Sequence, residues 1–336
     1  MIRFALIVAS VLGFALTAAL GNLMVPLLRE LERSLRGQAP DPKTEPQHEP
    51  LQPVPALGGL CLMVGTLAAV GVGWVAACAA QPSLLGSDGN LMTRLLIALA
   101  GALAFGGIGL ADDLARVRSG YPNGLGLRRG VRLGLEAAAA AAVLGLNGCL
   151  PGGLILPGKG YVSFAAAPLL WGVLLVALAE CGRVADGADG TVCGAAFAAM
   201  LGLMLLETQL GWFPLAVLPA ALAGALMAFL LWNFPPAKLR PGKCGCLFLT
   251  GAIGCIPLCM GYAELAVPLA LPFWAEGGMV LLQILSYRLT GRTLFRAAPL
   301  HRWLEKRGHG DVSIFCSLCA LSVCGLALTM GLARWA

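Results

Sequence analysis

Residues 246–285 read CLFLTGAIGCIPLCMGYAELAVPLALPFWAEGGMVLLQIL, an almost unbroken apolar run of 40 residues. A single helix of this length would extend about 60 Å, at roughly 1.5 Å per residue, which is about twice the thickness of the hydrocarbon core of a bilayer. We therefore divide the run near Gly261–Glu264 and predict two membrane spans, 246–262 and 266–285. This stretch indicates an integral membrane protein.

The remaining sequence fits the same class. Apolar residues make up 58% of the 336 residues, only 12% are charged, and the mean hydropathy is +0.82, which exceeds what a soluble fold can hide. We predict an all-α polytopic membrane protein that forms a single domain over residues 1–336. A membrane span needs roughly 20 apolar residues. The predicted spans lie at about 4–28, 55–80, 94–111, 131–149, 164–180, 191–206, 212–232, 246–262, 266–285 and 312–333.

The basic residues predict the orientation of the chain in the membrane. With ten spans, 19 of the 23 Lys and Arg residues fall in the loops of one side. Because basic loops are retained in the cytoplasm, this side is predicted to be cytoplasmic and both termini to face outward. The net charge of +6 then reflects topology and contact with anionic membrane lipids or phosphate. It gives no indication of nucleic-acid binding.

Two acidic clusters, Asp112-Asp113 and the DGADG run at 186–190, lie at the ends of apolar segments on this predicted cytoplasmic side. A carboxylate at the edge of a bilayer is costly unless it faces a polar cavity, a cation or a partner. Carboxylates can hold Mg²⁺, and arginines such as Arg128 and Arg129 can bind phosphate oxygens. The combination indicates phosphoryl transfer at a cytoplasmic cleft. Solvation of helix ends is the alternative for each cluster taken alone.

Five motifs in order resemble the phospho-N-acetylmuramoyl-pentapeptide transferase family, within the polyprenyl-phosphate N-acetylhexosamine phosphate transferases. The resemblance extends over essentially the whole chain. The motifs are PVPALGG (53–59), ADDLAR (111–116), DGADG (186–190), NFPPAK (233–238) and RTLFRAAPLH (292–301), the last followed by Glu305-Lys306.

This resemblance implies ten transmembrane helices, a cytoplasmic active site and a location in the bacterial plasma membrane. It also implies a reaction in peptidoglycan or cell-envelope precursor synthesis. In it, undecaprenyl phosphate attacks the sugar-linked phosphate of a UDP-linked amino sugar, which releases UMP. Mg²⁺ is the implied cofactor, and a homodimer the implied oligomer. The candidate catalytic residues are Asp112, Asp113 and Asp189. The candidate substrate-binding residues are His48, Asp186, Asn233 and His301, to which Arg128 is added as a phosphate-binding residue. The candidate ligands of Mg²⁺ are Asp186 and Asp189.

The sequence departs from the family pattern at the expected metal site. Lys243 replaces an aspartate expected to bind the metal, and Arg240 replaces an aromatic residue expected against the base. Glu180 and Arg183 replace two family asparagines and are expected to pair with each other.

Three hypotheses stay open. The first is an active transferase with altered substrate or metal handling, in which a nearby oxygen ligand such as Glu180 would help to hold Mg²⁺. The second is a catalytically impaired paralogue that acts as a binding scaffold, in which Lys243 would pair with Asp186, Asp189 or Asp112. The third is a polyprenyl-lipid carrier or transporter.

Overall fold

The computed structural model describes residues 2–35, 55–82, 84, 90–119, 126–147, 153–156 and 160–335, and most of them are helical. The first six helices are α1 (Ile2–Leu35), α2 (Gly59–Ala80), α3 (Asn90–Arg118), α4 (Arg129–Leu146), α5 (Ala167–Ala185) and α6 (Thr191–Gln209). The others are α7 (Val217–Asn233), α8 (Gly242–Met260), α9 (Ala266–Leu269), α10 (Leu271–Thr290), α11 (Leu300–Lys306) and α12 (Asp311–Leu332). The predicted helical architecture is confirmed.

One small hairpin adds to the predicted helices. Strands β1 (Gly153–Leu156) and β2 (Gly160–Ser163) pair antiparallel, with Gly153 opposite Ser163. The strands contain Ile155, Tyr161 and Val162, residue types that are common in strands. The indole nitrogen of Trp171 in α5 donates a hydrogen bond to the carbonyl oxygen of Gly153 at 3.2 Å, which ties the hairpin to the helices.

Seven helical segments in the described residues are long and apolar enough to cross a membrane. They are Phe4–Leu28, Gly59–Ala80, Asn90–Arg118, Ala167–Ala185, Thr191–Gln209, Gly242–Met260 and Asp311–Leu332. A bent pair, Ala263–Leu269 with Leu271–Thr290, would make an eighth. Helix α4 carries two arginines and a glutamate, so it is less apolar than these segments. Helix α7 has only 17 residues, so it is shorter than they are. The polytopic membrane class is confirmed, whereas the count of ten and the outward termini stay predictions.

The long apolar run divides where the sequence predicts. Gly261 ends α8 with φ 89°, a left-handed conformation that glycine adopts without steric cost. The predicted span 266–285, however, is broken, because α9 and α10 meet at an angle of 77°. Pro272 in the first turn of α10 has no N–H to continue the preceding helix. A proline therefore accounts for a break that the length argument alone does not predict.

Helix α8 lies at the centre of the bundle. All its residues are buried, and it packs against α2, α3, α5 and α6. A helix that is apolar on every side belongs in such a position. Glycines allow its neighbours to approach closely: a Cβ added at Gly109 in α3 would overlap the carbonyl oxygen of Lys243 at the start of α8. This contact holds the ends of α3 and α8 together.

We expect Gly109→Ala to lower the stability of the protein by about 1–3 kcal/mol, because the added methyl group forces α3 away from α8. Gly107→Ala is the matched control, since Gly107 is exposed on the same helix and an added Cβ there meets nothing within 4 Å. The control should be neutral or slightly stabilising, because alanine favours helix more than glycine. Thermal unfolding in detergent measures both, and equal melting temperatures would contradict the close helix contact.

Candidate active site

The polar ends of several elements enclose a charged cavity of about 650 Å³, which includes its opening to solvent. It is lined by Ala56 and Leu57 before α2, Asp113, Arg116 and Val117 of α3, Asp186 after α5, and Arg240 and Lys243 at the start of α8. The two acidic clusters and the basic segment that follows α7 thus meet at one end of the helices. Asp112, Asp186 and Asp189 each lie beside a basic side chain, which lowers the cost of charge near a membrane.

The acidic pair of α3 is held by backbone N–H groups. Asp113 Oδ2 accepts a hydrogen bond from the backbone N–H of Cys244 at 2.9 Å. This N–H belongs to the first turn of α8, where helical N–H groups have no partner within the helix and favour a negative charge. Asp112 Oδ1 accepts from the N–H of Leu127 at 2.7 Å, and its Oδ2 lies 3.6 Å from Arg116. Asp113 lines the cavity, whereas Asp112 does not line it and instead positions Arg116.

Lys243 projects from the first turn of α8 toward the DGADG run. Its Nζ donates to Asp186 Oδ2 and to the carbonyl oxygen of Arg183, both at 2.9 Å. The preceding residue, Gly242, has φ +65° and lies so close to the Ala56 carbonyl oxygen that an added Cβ would overlap it. This backbone constraint directs the lysine into the cavity. The ion pair is one of those that the scaffold hypothesis predicts.

The second aspartate of the DGADG run also has a cationic partner. Asp189 Oδ1 accepts from Arg240 Nη2 at 2.8 Å and from Nε at 3.1 Å, while Oδ2 accepts from the N–H of Ala237 at 2.9 Å. Asn233 is buried, and its Nδ2 donates to the Leu239 carbonyl oxygen at 2.9 Å. Asp189 and Asn233 therefore fix the segment that presents Arg240, and they lie outside the cavity wall.

The glycine motif before α2 supports this same segment. The N–H groups of Gly58 and Gly59 donate to the carbonyl oxygens of Arg240 and Pro241 at 3.0 and 2.9 Å. A Cβ added at Gly59 would overlap the backbone of Gly245 in α8. The part of the motif that the structure describes, from residue 55 onward, thus packs its backbone against that of residues 240–245. Its role is to position this segment.

Glu180 is bound to arginines. Its carboxylate accepts from Arg132 Nε at 2.9 Å and Nη2 at 3.2 Å, and from Arg183 Nη2 at 3.3 Å. Arg132 also lies 3.7 Å from the buried Glu136. The predicted Glu180–Arg183 pair is confirmed. Both carboxylate oxygens of Glu180 have arginine partners, which does not fit the hypothesis that it helps to hold a metal ion.

His301 is buried in a contact that the sequence does not predict. Its backbone N–H and ring Nδ1 face the Glu276 carboxylate at 3.2 and 3.0 Å. On the other side, its ring nitrogen Nε2 lies against Gly187, where an added Cβ would overlap it. An acidic residue inside an apolar span is the signal that a partner should be sought. His301 therefore ties α10 to the DGADG run and does not line the cavity.

The structure describes only one of the two other predicted binding residues, His48 and Arg128. His48 falls outside the described residues. Arg128 is exposed immediately before α4 and does not line the cavity. The cavity lining therefore does not support the expected contact of Arg128 with phosphate. The basic residues that line the cavity are Arg116, Arg240 and Lys243.

The expectation of bound Mg²⁺ stays a prediction, and the donor groups do not fit it. Asp186 is paired with Lys243, and both oxygens of Asp189 accept from protein N–H groups. Mg²⁺ requires oxygen ligands in near-octahedral geometry, and an ammonium group in contact with one of them opposes its binding. No group of three or more His, Cys, Asp or Glu side chains that could hold a metal occurs among the described residues.

The fold and the cavity define a polytopic helical membrane protein with a mixed-charge site at one end of its helices. Residues 95–261 match the model of glycosyl transferase family 4. The chain is similar to the phospho-N-acetylmuramoyl-pentapeptide-transferase of Mycobacterium marinum, with 29% identity over 96% of this chain and 97% of that protein. The enzyme of the same name from Geobacillus kaustophilus is 28% identical over 98% of each chain. The family match and the two near full-length similarities confirm the resemblance that the motifs carry.

We expect Glu276→Ala to destabilise the protein by about 1–3 kcal/mol, because the buried N–H groups of His301 would lose their acceptor. Glu305→Ala is the control, since this glutamate is exposed on α11. Chemical or thermal unfolding in detergent compares the two variants. A Glu276 variant as stable as the Glu305 variant would show that the pair does not tie α10 to the site.

Proposed function

We propose that this protein transfers a phospho-amino-sugar from a UDP-linked sugar to a polyprenyl phosphate and releases UMP. An oxygen of the lipid phosphate attacks the sugar-linked phosphorus. The bond between that phosphorus and the oxygen bridging to the uridylyl phosphate breaks, and UMP leaves with the bridging oxygen. The product is a lipid-linked sugar diphosphate. By similarity, the amino sugar is N-acetylmuramoyl-pentapeptide and the lipid is undecaprenyl phosphate.

The observation that carries this proposal is the mixture of charges in the cavity. Arg116, Arg240 and Lys243 suit the phosphates of both substrates, because cationic side chains donate strong hydrogen bonds to phosphate oxygens. Positioned positive charges that face the charge developing on a transferring phosphate are the main source of catalysis in such reactions. Two relatives that match nearly the whole chain carry the name of this transferase.

Asp113 is the proposed catalytic carboxylate. It lines the cavity beside Arg116, and its bond to the Cys244 N–H fixes its orientation. It would orient the lipid phosphate, or accept its proton where that phosphate enters protonated. Asp112 would position Arg116, and Asp189 would position Arg240.

The proposed setting is the bacterial plasma membrane, with the cavity open to the cytoplasm. The distribution of 19 basic residues on one side supports this orientation, because the cavity lies among those basic segments. The ten spans, the outward termini, the contacts with membrane lipids and the homodimer belong to the same proposal. The product would serve peptidoglycan or cell-envelope precursor synthesis.

A catalytically impaired scaffold is the second candidate, and the Lys243–Asp186 ion pair at 2.9 Å favours it. Such a protein would bind the polyprenyl phosphate or the nucleotide sugar without turnover. The carrier hypothesis has less support, because Glu276 pairs with His301, Glu136 lies near Arg132, and Gln283 bonds the backbone of Phe295. Glu207 in α6 is the exception among the described residues, since it is buried and its carboxylate has no hydrogen-bond partner.

Release of UMP from UDP-N-acetylmuramoyl-pentapeptide in the presence of undecaprenyl phosphate tests the proposed function. We expect the purified wild type to release UMP and Asp113→Asn to lose at least about 100-fold of the rate, because the carboxylate is removed from the reacting groups. Asp311→Asn makes the same chemical change at an exposed position and should keep the wild-type rate. A folded wild type that binds the nucleotide but releases no UMP would favour the scaffold.

Enzyme fusions test the orientation. Alkaline phosphatase, whose disulfides form only outside the cytoplasm, should be active when fused after the final residue and inactive when fused after Gly308, between α11 and α12. A cytoplasmic reporter at the same two positions provides the control and should give the opposite pattern. Active phosphatase after Gly308 would invert the proposed topology.

A further inference from the structure

Lys243 places a fixed positive charge beside Asp186 in the cavity. Its ammonium group contacts Asp186 and the Arg183 carbonyl oxygen at 2.9 Å each, and its side chain is only 11% exposed. The carbonyl oxygen of Lys243 is in close contact with Gly109, and this contact fixes the backbone of Lys243 against α3. The positive charge is thus covalently attached and cannot readily withdraw to solvent.

We infer that the cavity binds the diphosphate of its nucleotide-sugar substrate directly through Lys243, Arg240 and Arg116, without a divalent metal ion. This inference rests on the proposed function for the identity of the substrate. It specifies how the diphosphate is recognised at that site.

The three cations keep donors available for a ligand. An ammonium group has three N–H donors, and the described residues account for two of those on Lys243. Arg240 uses Nε and Nη2 on a single oxygen of Asp189, and its side chain is 44% exposed. A guanidinium group has five N–H donors, so others stay available for phosphate. Arg116 lines the cavity with a side chain that is 31% exposed, and its Nη2 lies 3.6 Å from Asp112, beyond hydrogen-bond distance.

The charge balance of the cavity favours an anion. Three cations and two carboxylates, Asp113 and Asp186, line it. Each carboxylate is already engaged, Asp113 by the N–H of Cys244 and Asp186 by Lys243. A diphosphate entering this cavity meets more positive than negative groups, and two of the cations are arginines, which pair with phosphate in a planar geometry. A divalent cation would instead have to displace Lys243 from Asp186.

Equilibrium binding of UDP to the purified full-length chain tests the inference, with excess EDTA in one titration and Mg²⁺ in the other. Uridine is the ligand control, since it lacks the phosphates. We expect UDP to bind with the same affinity in both buffers, within about twofold, and much more tightly than uridine. Wild-type affinity that falls by about tenfold or more in EDTA would overturn the inference.

Two variants assign the binding to the cations. Lys243→Met and Arg240→Met should each weaken UDP binding in EDTA by about tenfold or more, because each removes a charged hydrogen bond. Lys306→Met is the matched control, since this exposed lysine does not line the cavity, and it should bind as the wild type does. Arg240 lies at the surface, so its variant keeps the test valid if Lys243→Met fails to fold. Unchanged binding by a folded Arg240→Met would contradict its proposed role.

Lys243→Asp provides the inverse test. It exchanges a positive for a negative group, a change that a divalent cation can offset. We expect this variant to bind UDP weakly in EDTA and to recover by about tenfold or more when Mg²⁺ is added. A variant that Mg²⁺ does not rescue, although it is folded, would contradict the role of Lys243 as the substitute for a metal charge.

The UMP-release assay, run in parallel with and without EDTA, separates this inference from the proposed function. Metal-independent UDP binding without UMP release would support the inference and refute the transferase. UMP release together with UDP binding that both require Mg²⁺ would support the transferase and refute the inference. A folded protein that binds no UDP in either buffer would also refute the inference.

Discussion

Charge compensation inside an apolar bundle is the constraint on which this structure depends. A buried charge without a partner costs several kcal/mol, and the charged side chains of the site avoid this cost by meeting a cation or an N–H group. Asp113 meets the first turn of α8, Asp186 meets Lys243, and Glu276 meets His301. Each contact joins elements that are distant in sequence. The same pairs that make burial tolerable therefore bring the site together.

Close helix packing places these pairs within reach of one another. Helix α8 is buried along its whole length, and glycines in α2 and α3 allow their backbones to touch its first turn. A side chain at Gly59 would separate α2 from α8, and one at Gly109 would separate α3 from α8 and move Asp113 away from the Cys244 N–H. The geometry of the cavity thus depends on these glycines, although they have no functional side chains of their own.

Apolar run lengths and ordered motifs predict most of the architecture and the residues that converge. They do not predict the break between α9 and α10. The length of an apolar run does not show that a proline ends one helix and begins the next. They also place Asp112, Asp189 and His301 in the site without revealing that none of the three lines the cavity. Partners such as Leu127, Ala237 and Glu276 depend on tertiary contacts, which spacing along the chain does not encode.

The Lys243–Asp186 pair also constrains how the sequence can change over time. Loss of the lysine alone would strand a carboxylate in a poorly hydrated place, and loss of the aspartate alone would strand an ammonium group. Neutral drift at either position is therefore penalised unless the other changes too. Positions 186 and 243 should consequently covary among proteins that share this ion pair.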